Sequence, residues 1–453
     1  MLRALLTDVR ILMLSVALIF AGPVAVFAGS AYRLIDFYRM ALDRAERIQI
    51  SREDLAIAEQ TREKAMAVLK PRFSAVTAYR DYTEDEVLSG TVVQPDWEGS
   101  YGIKVGQSFT LNGRELTALR IAETDIERYR HELDAVREGY LLEVATAFYN
   151  VARAGKTLEI ADANLQRLQT HRDAVDRKLR LAEVTKTELF RTDAELAKAD
   201  ADRIQAENTL RLARAALTRL AGVETEFEII GETGDPTGSP ISDLHRIRTT
   251  ALENRAEIKG LKLLERAAED RITYSKGAYW PTVGLEGGWQ RYNRSPDPLL
   301  DESVYLGVSL DFQFYDGGLR KAEVYEARLR RRQASYALSE AARSIAFEVE
   351  IAWSDVGTQR GVIVSLESQR LYAGENYEAV QQLFDHGMAN SVDIMDANTL
   401  LVTAERELAD ARYRLRTALL KLDRAAGTFL AHVEESLART AADNPDLKAS
   451  ATR

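Results

Sequence analysis

Asp393 and Asp396 stand three residues apart, shortly after the run Gly387-Met388-Ala389-Asn390. On a helix that spacing puts both carboxylates on one face, one turn from each other. Asp393 also lies three positions beyond Asn390, the pattern of a helix start in which an acid complements the dipole, so a plain capping role competes with any binding role. Asp396 lies a turn deeper, where a cap does not require an acid. Glu188 repeats the first arrangement earlier in the chain, three residues after Thr185. Little else has the spacing of a reactive site. The five histidines, His131, His171, His245, His386 and His432, are scattered, with no HExxH, phosphate-binding glycine loop or serine elbow around them. His386, beside the second turn, could answer to pH, although a solvated histidine reads the same way. The absence of cysteine removes disulfides, thiolate metal sites, thiol nucleophiles and a lipid anchor on Cys. No catalytic residue, metal site or cofactor is expected, and the chain does not read as an enzyme. A net charge of -10, with both signs mixed along the chain, argues against a nucleic-acid partner.

The elements that carry these acids repeat. Ala41-Leu42-Asp43-Arg44 lies over Ala251-Leu252-Glu253-Asn254, and Pro71 over Pro281, at an offset of 210 residues. Further on, Gly113 lies over Gly318, Val144 over Val349, Ala147 over Ala352, Val151 over Val356 and Gly222 over Gly427, all at 205. The lost five residues fall between the proline and the first glycine, the only connection that changes length. Each copy opens with a helical stretch, Leu34 to Lys70 or Asp243 to Ala278, closed by the proline. Two strand-like runs follow. In the last, Val304, Leu306, Val308, Leu310, Phe312 and Phe314 alternate with Tyr305, Gly307, Ser309, Asp311 and Gln313, the period of a two-faced strand. Strands are expected over about 73–82, 101–111, 282–292 and 304–315, joined by polar loops. Their length and alternation suit a tilted barrel strand in a bilayer, and equally a soluble sandwich.

After each strand pair comes a stretch without proline, Asn112 to Asp235 and Leu299 to Asn444, rich in Ala, Leu, Arg and Glu. The 68 residues from Arg114 to Leu181 would form a helix of about 100 Å, too long for a compact domain. Each rod is interrupted once, at Ala182–Glu188 and at Gly387–Asp393, so each reads as an antiparallel hairpin, about 114–220 and 318–426. At the start, Arg3 and Arg10 precede or flank an apolar run from Ile11 to Val26 that reaches Val26-Phe27-Ala28, the form of an export signal over residues 1–28. An uncleaved anchor is the alternative. No later apolar run reaches transmembrane length, which excludes a helical inner-membrane transporter. The expected organisation is a first repeat over 29–222, a linker over 223–242, a second repeat over 243–427 and a polar tail over 428–453.

The order of helix, strand pair and long helical hairpin, given twice behind an export signal, resembles the TolC family of outer-membrane channel proteins over nearly the whole mature chain. Tyr315-Asp316-Gly317-Gly318 at a strand-to-helix junction carries the resemblance, and Gly387 to Ala397 at the second turn carries it more specifically. The resemblance implies a mixed α and β fold, mainly α. In that fold a homotrimer forms one twelve-stranded β-barrel and one α-helical tunnel of twelve helices. It further implies the outer-membrane exit duct of a tripartite efflux pump or type I secretion system in a Gram-negative bacterium. Such a duct conducts passively, with its barrel in the lipid bilayer and its tunnel in the periplasm. The partners implied are a periplasmic adaptor (membrane fusion) protein and an inner-membrane pump or ABC transporter. In the family the turns form the periplasmic entrance, and Asp393 and Asp396 match the aspartates that narrow it. Six carboxylates around one axis would attract cations and raise one another's pKa values. Glu188, Phe384 and Gly387 are the gate candidates. Phe384, however, lacks the hydroxyl of the family's aromatic, and Ala389 stands where the family has a base, so the closing links are expected to differ here. From the residues alone, a periplasmic adaptor and a soluble coiled-coil scaffold stay open as alternatives. The first usually carries one hairpin in a β-rich chain; the second leaves the alternating strands without purpose.

Overall fold

The computed structural model describes residues 30–84, 86–89, 91–94, 96–223, 227–231, 243–294 and 302–443. The expected export signal and the last ten residues lie outside them. The first repeat runs β1 (Ser30–Tyr32), α1 (Leu34–Arg44), α2 (Glu46–Val68), β2 (Arg72–Asp81), β3 (Glu86–Leu88), β4 (Thr91–Gln94), β5 (Trp97–Thr110), α3 (Arg114–Arg180) and α4 (Lys186–Ala221). After β6 (Phe227–Ile229) the second repeat runs α5 (Leu244–Asn254), α6 (Ala256–Gly277), β7 (Thr282–Arg294), β8 (Glu302–Asp311), α7 (Leu319–Asp385) and α8 (Ser391–Ala426), followed by α9 (Phe429–Asp443).

The two long helices, α3 and α7, each contain 67 residues, about 100 Å of rise. Their return helices, α4 and α8, contain only 36. The half of each rod that its return helix cannot reach is covered by the short helices instead. Thus α2 and α6 both pack on α3, and α6 also packs on α7. Four helices therefore lie abreast at every level, in the order α2, α3, α6, α7 on the sheet side and α4, α3, α8, α7 on the far side.

Each short-helix stretch, which the sequence presents as continuous, is broken in two. Ala45 and Arg255 take extended backbone angles, φ -64° and ψ 117° in the first, φ -56° and ψ 127° in the second. The cause lies across the chain, where α4 and α8 end against these breaks. Arg44 donates to the Gly222 carbonyl at 2.9 Å, and Arg255 to the Arg424 carbonyl at 3.3 Å. Gly427 has φ 71°, and a Cβ there would lie 2.9 Å from the Arg255 nitrogen, so the glycine repeated at this position is a requirement of both backbone and space.

The main core sits at mid-rod. The rings of Phe37, Phe148 and Phe227 meet at 5.3–5.8 Å between centroids, all of them almost fully buried. β1 pairs in parallel with β6 beside them. The segment expected as a polar tail begins instead with α9, because Phe429 and Val433, one turn apart, are both buried, Phe429 against Tyr38.

Strands β2, β5, β7 and β8 form one antiparallel sheet in that order, leaving β2 and β8 as edges. The register aligns Leu306 with Gly287, Gly287 with Val105 and Val105 with Phe73. One face is thus apolar across the sheet. The other carries Ser309, Glu286, Gly106 and Arg72. Leu306 is 85% exposed and Val304 78%. No second sheet covers this face among the described residues, as a soluble sandwich would require, whereas an outward lipid-facing band needs no cover. β8 ends at Asp311 although the alternation continues to Phe314, because its neighbour β7 begins at Thr282, the residue opposite Asp311.

Near the breaks, α3 contributes Glu138, 4% exposed. Burial first, then the Glu257 carboxylate, raise its pKa to about 7, against the opposing pull of Arg255 and Arg424. An acid whose folded pKa is raised costs stability as pH climbs from about 4.5 towards 7. Glu138→Gln is therefore expected to abolish that slope and to melt at higher temperature than the native chain at about pH 8, as followed by the helical circular-dichroism signal in detergent.

Candidate functional site

At the end of the rods farthest from the sheet, α3 turns into α4 and α7 into α8. The second turn closes by local chemistry. Gly387 takes φ 75°, which suits glycine, and Asn390 caps α8 by accepting the N–H groups of Val392 and Asp393 at 2.8 and 3.2 Å. The Asp393 carboxylate accepts the Asn390 N–H at 2.9 Å, completing a capping box. Asp393 therefore does cap its helix. Its side chain remains exposed, as does that of Asp396, while the neighbouring Ile394, Ala397 and Asn398 are buried.

The first turn closes differently. Ala182, the counterpart of Gly387, takes φ 59°, a conformation that costs a residue with a Cβ about 1 kcal/mol or more. Thr185 makes no side-chain cap. Glu188 is thereby left to reach the other turn, where its carboxylate accepts the hydroxyl of the fully buried Ser391 at 3.2 Å. This bond joins the start of α4 to the start of α8, one hairpin to the other.

Phe384 is only 2% exposed and packs with Val175 and Ile394. The Lys178 ammonium of α3 lies 4.2 Å from its ring centroid and donates to its carbonyl, and the His171 ring meets it edge-on at 4.9 Å. Ala389 packs against the same cluster. Within the single chain, then, an aromatic without a hydroxyl is fixed between the hairpins by a cation over its face. His171 is 7% exposed, and its Nε2 has no hydrogen-bond partner among the described residues. Burial lowers its pKa, partly opposed by Asp385 and Glu188 and reinforced by Lys178. Two turns further from the tip, the buried amides of Asn164 and Asn398 bond at 2.7 Å, and Arg167 donates to Asn398 and to Glu405, both at 3.2 Å.

The arrangement offers exposed carboxylates on a rigid capped helix and polar clasps between two hairpins. The sequence shows no sign of Lys178 and no role for Ser391, which it shows only as part of the turn, or for His171, which it shows only as one of five scattered histidines, because each acquires its meaning from a partner at long range. Asn398 did leave a signal, as a polar residue at helical spacing among Ile394, Ala397 and Leu401.

Comparison with known proteins bears on the whole architecture. The family model described as outer membrane efflux protein matches residues 37–223 and 247–428, one stretch in each repeat. The chain is 26% identical over 323 residues to the outer membrane protein TolC of Vibrio cholerae, covering 69% of this chain and 73% of that one. It is 21% identical over 413 residues to the alkaline protease secretion protein AprF of Pseudomonas aeruginosa, covering 88% and 85%. The crystal structure of the outer membrane protein VceC from Vibrio cholerae superposes with a TM-score of 0.76 at 18% identity, over 87% of this chain and 96% of that one.

Asn390→Ala is expected to cost about 1 kcal/mol at the start of α8, read as faster hydrogen exchange at Val392 to Ile394. His171, with a folded pKa below the ordinary value of about 6.5, stabilises the tip only above that pH; the packed tip weakens as pH falls below it. After correction for intrinsic exchange, opening of residues 172–178 should increase between about pH 7.5 and 5.5, and His171→Leu should remove that difference.

Proposed function

Because the chain belongs to the outer membrane efflux protein family, we propose that three copies of it close into one passive exit duct, with the sheets joined as a barrel in the outer membrane and the rods as a periplasmic tunnel. The observation that carries this reading is the sheet. Among the described residues a single chain leaves two unpaired strand edges and one bare apolar face, and closure into a barrel within lipid satisfies both. The signal over residues 1–28 is removed on export. Energy comes from an inner-membrane pump or ABC transporter, and a periplasmic adaptor joins that partner to the tunnel's entrance. The duct accepts what the pump delivers.

The two turns of each copy form the entrance, with Asp393 and Asp396 facing its axis. Their exposure on a capped helix supports this role, since the cap holds the carboxylates in place without covering them. Glu188, Phe384 and Gly387 belong to the gate. Gly387 shapes the turn, while the Glu188–Ser391 bond and the Lys178–Phe384 contact tie hairpin to hairpin in place of links that need a tyrosine and a base.

Conductance in planar bilayers tests the reading. The native protein should form channels that a trivalent cation blocks from the helical side, and Asp393→Ala/Asp396→Ala should conduct with block weakened at least tenfold. Channels that the cation does not block would remove the carboxylate ring and leave the duct. Well-folded protein that never conducts would remove the duct.

A further inference from the structure

The polar face of the sheet carries a hollow at the end nearest the rods. Its floor is Gly106 of β5, where an added Cβ would meet only the Leu285 carbonyl oxygen, at 4.0 Å. The register puts Arg72 of β2 directly across from Gly106 on one side and Glu286 of β7 on the other. Lys104 and Ser108 stand two residues away along β5 in either direction, on the same face. Opposed residues in such a sheet lie about 5 Å apart, and same-face neighbours along a strand about 7 Å, so both cations reach over the glycine.

Charges of opposite sign around one glycine would ordinarily pair across it, and these do not. The Glu286 side chain leans the other way, over Gly307 of β8, with its Cγ 3.5 Å and its Oε1 3.6 Å from the place a Cβ of that glycine would take. Among the described residues neither Arg72 nor Lys104 meets a carboxylate within 4.0 Å. Of the other charged side chains described on this face, Arg80 and Glu98 meet each other at 3.9 Å towards the opposite end of the sheet, and Asp311 stands on the far edge strand, at the end of β8. The Tyr305 ring closes one side of the hollow. It lies over Gly288, the residue opposite Lys104, with ring and hydroxyl atoms 2.8–3.1 Å from where a Cβ would sit. The space so bounded is about 400 Å³, with both cations and no acid directed over its floor.

We propose that this hollow is an oxyanion site on the inner wall of the barrel, which takes a phosphate or carboxylate group of a solute in transit between Arg72 and Lys104. The planar guanidinium can donate to two oxygens of such a group and the ammonium to a third, with the Ser108 hydroxyl beside them. The proposal rests on the reading of the chain as a closed duct, in which the polar face lines the bore. Three copies then set six cations around the bore where the barrel meets the rods, against the carboxylates of Asp393 and Asp396 at the entrance. A solute bearing an oxyanion is repelled at the entrance and held at the barrel. The hollow is open to water on its bore side, so the anion is held briefly and released, as conduction requires.

Conductance of the full-length protein in planar bilayers, with inorganic pyrophosphate or, separately, tricarballylate added on the barrel side, tests the site and tells the two oxyanion classes apart. Native channels should be blocked by at least one of the two, the stronger blocker naming the class. In Arg72→Gln/Lys104→Gln, which keeps both side chains long and removes their charge, the concentration for half block should rise at least tenfold while channels still form at native yield. Gly106→Asp should raise it as much by placing a carboxylate on the floor, where the open space above Gly106 accommodates a side chain. Native channels that neither anion blocks, or block that survives undiminished in either variant, would overturn the site and leave the duct. Native protein that is folded and never conducts would overturn the duct and the site with it.

Discussion

A helix of about 100 Å cannot stand alone in water: its own hydrogen bonds are satisfied, but its stability comes from an apolar stripe that something must cover along the entire length. Most of this fold is the response to that one demand. The return helices α4 and α8 run out at half the distance, so a second set of short helices takes over, and the break at Ala45 or Arg255 marks the level at which one set hands over to the other. The buried aromatic cluster of Phe37, Phe148 and Phe227 lies at that level, where the most segments converge. The strand pair β1 and β6 and helix α9 gather there too.

Much of this was legible in the sequence because it is local or periodic. The repeat showed itself through glycines and prolines whose backbone demands do not vary, the rods through long intervals without proline, and the sheet through strict alternation. The capping box at Asn390 and Asp393 could be read from four residues. What stayed hidden depends on residues far apart in the chain. Nothing near Ala45 announces a break, since the reason lies at Gly222; nothing near Phe227 announces a strand, since its partner is Ser30. Phe384 and Glu188 were visible as candidates, but that Lys178 and Ser391 hold them could be learned only once the hairpins were placed side by side.

The two repeats also show how one backbone plan tolerates different local solutions. One turn uses a glycine, a side-chain cap and an acid spent on that cap. The other uses an alanine in a left-handed conformation and no cap, which leaves its acid free to clasp the neighbouring hairpin. The strand-to-helix corners differ in the same manner. Glu115 reaches back to Thr110 in the first, while in the second Asp316 takes the N–H groups of Gly318 and Arg320.

The equal lengths of the corresponding helices, 67 with 67 and 36 with 36, act as a ruler. Adding one residue to α3 alone would rotate everything beyond it by about 100° and lift it by about 1.5 Å relative to α7. An inherited change in rod length must therefore arrive in both halves at once and in whole turns, whereas the stretch between Pro71 and Gly113 has already diverged from its counterpart by five residues without disturbing either rod. Length is therefore cheap to change between the strands, while the span of the rods can change only as a unit.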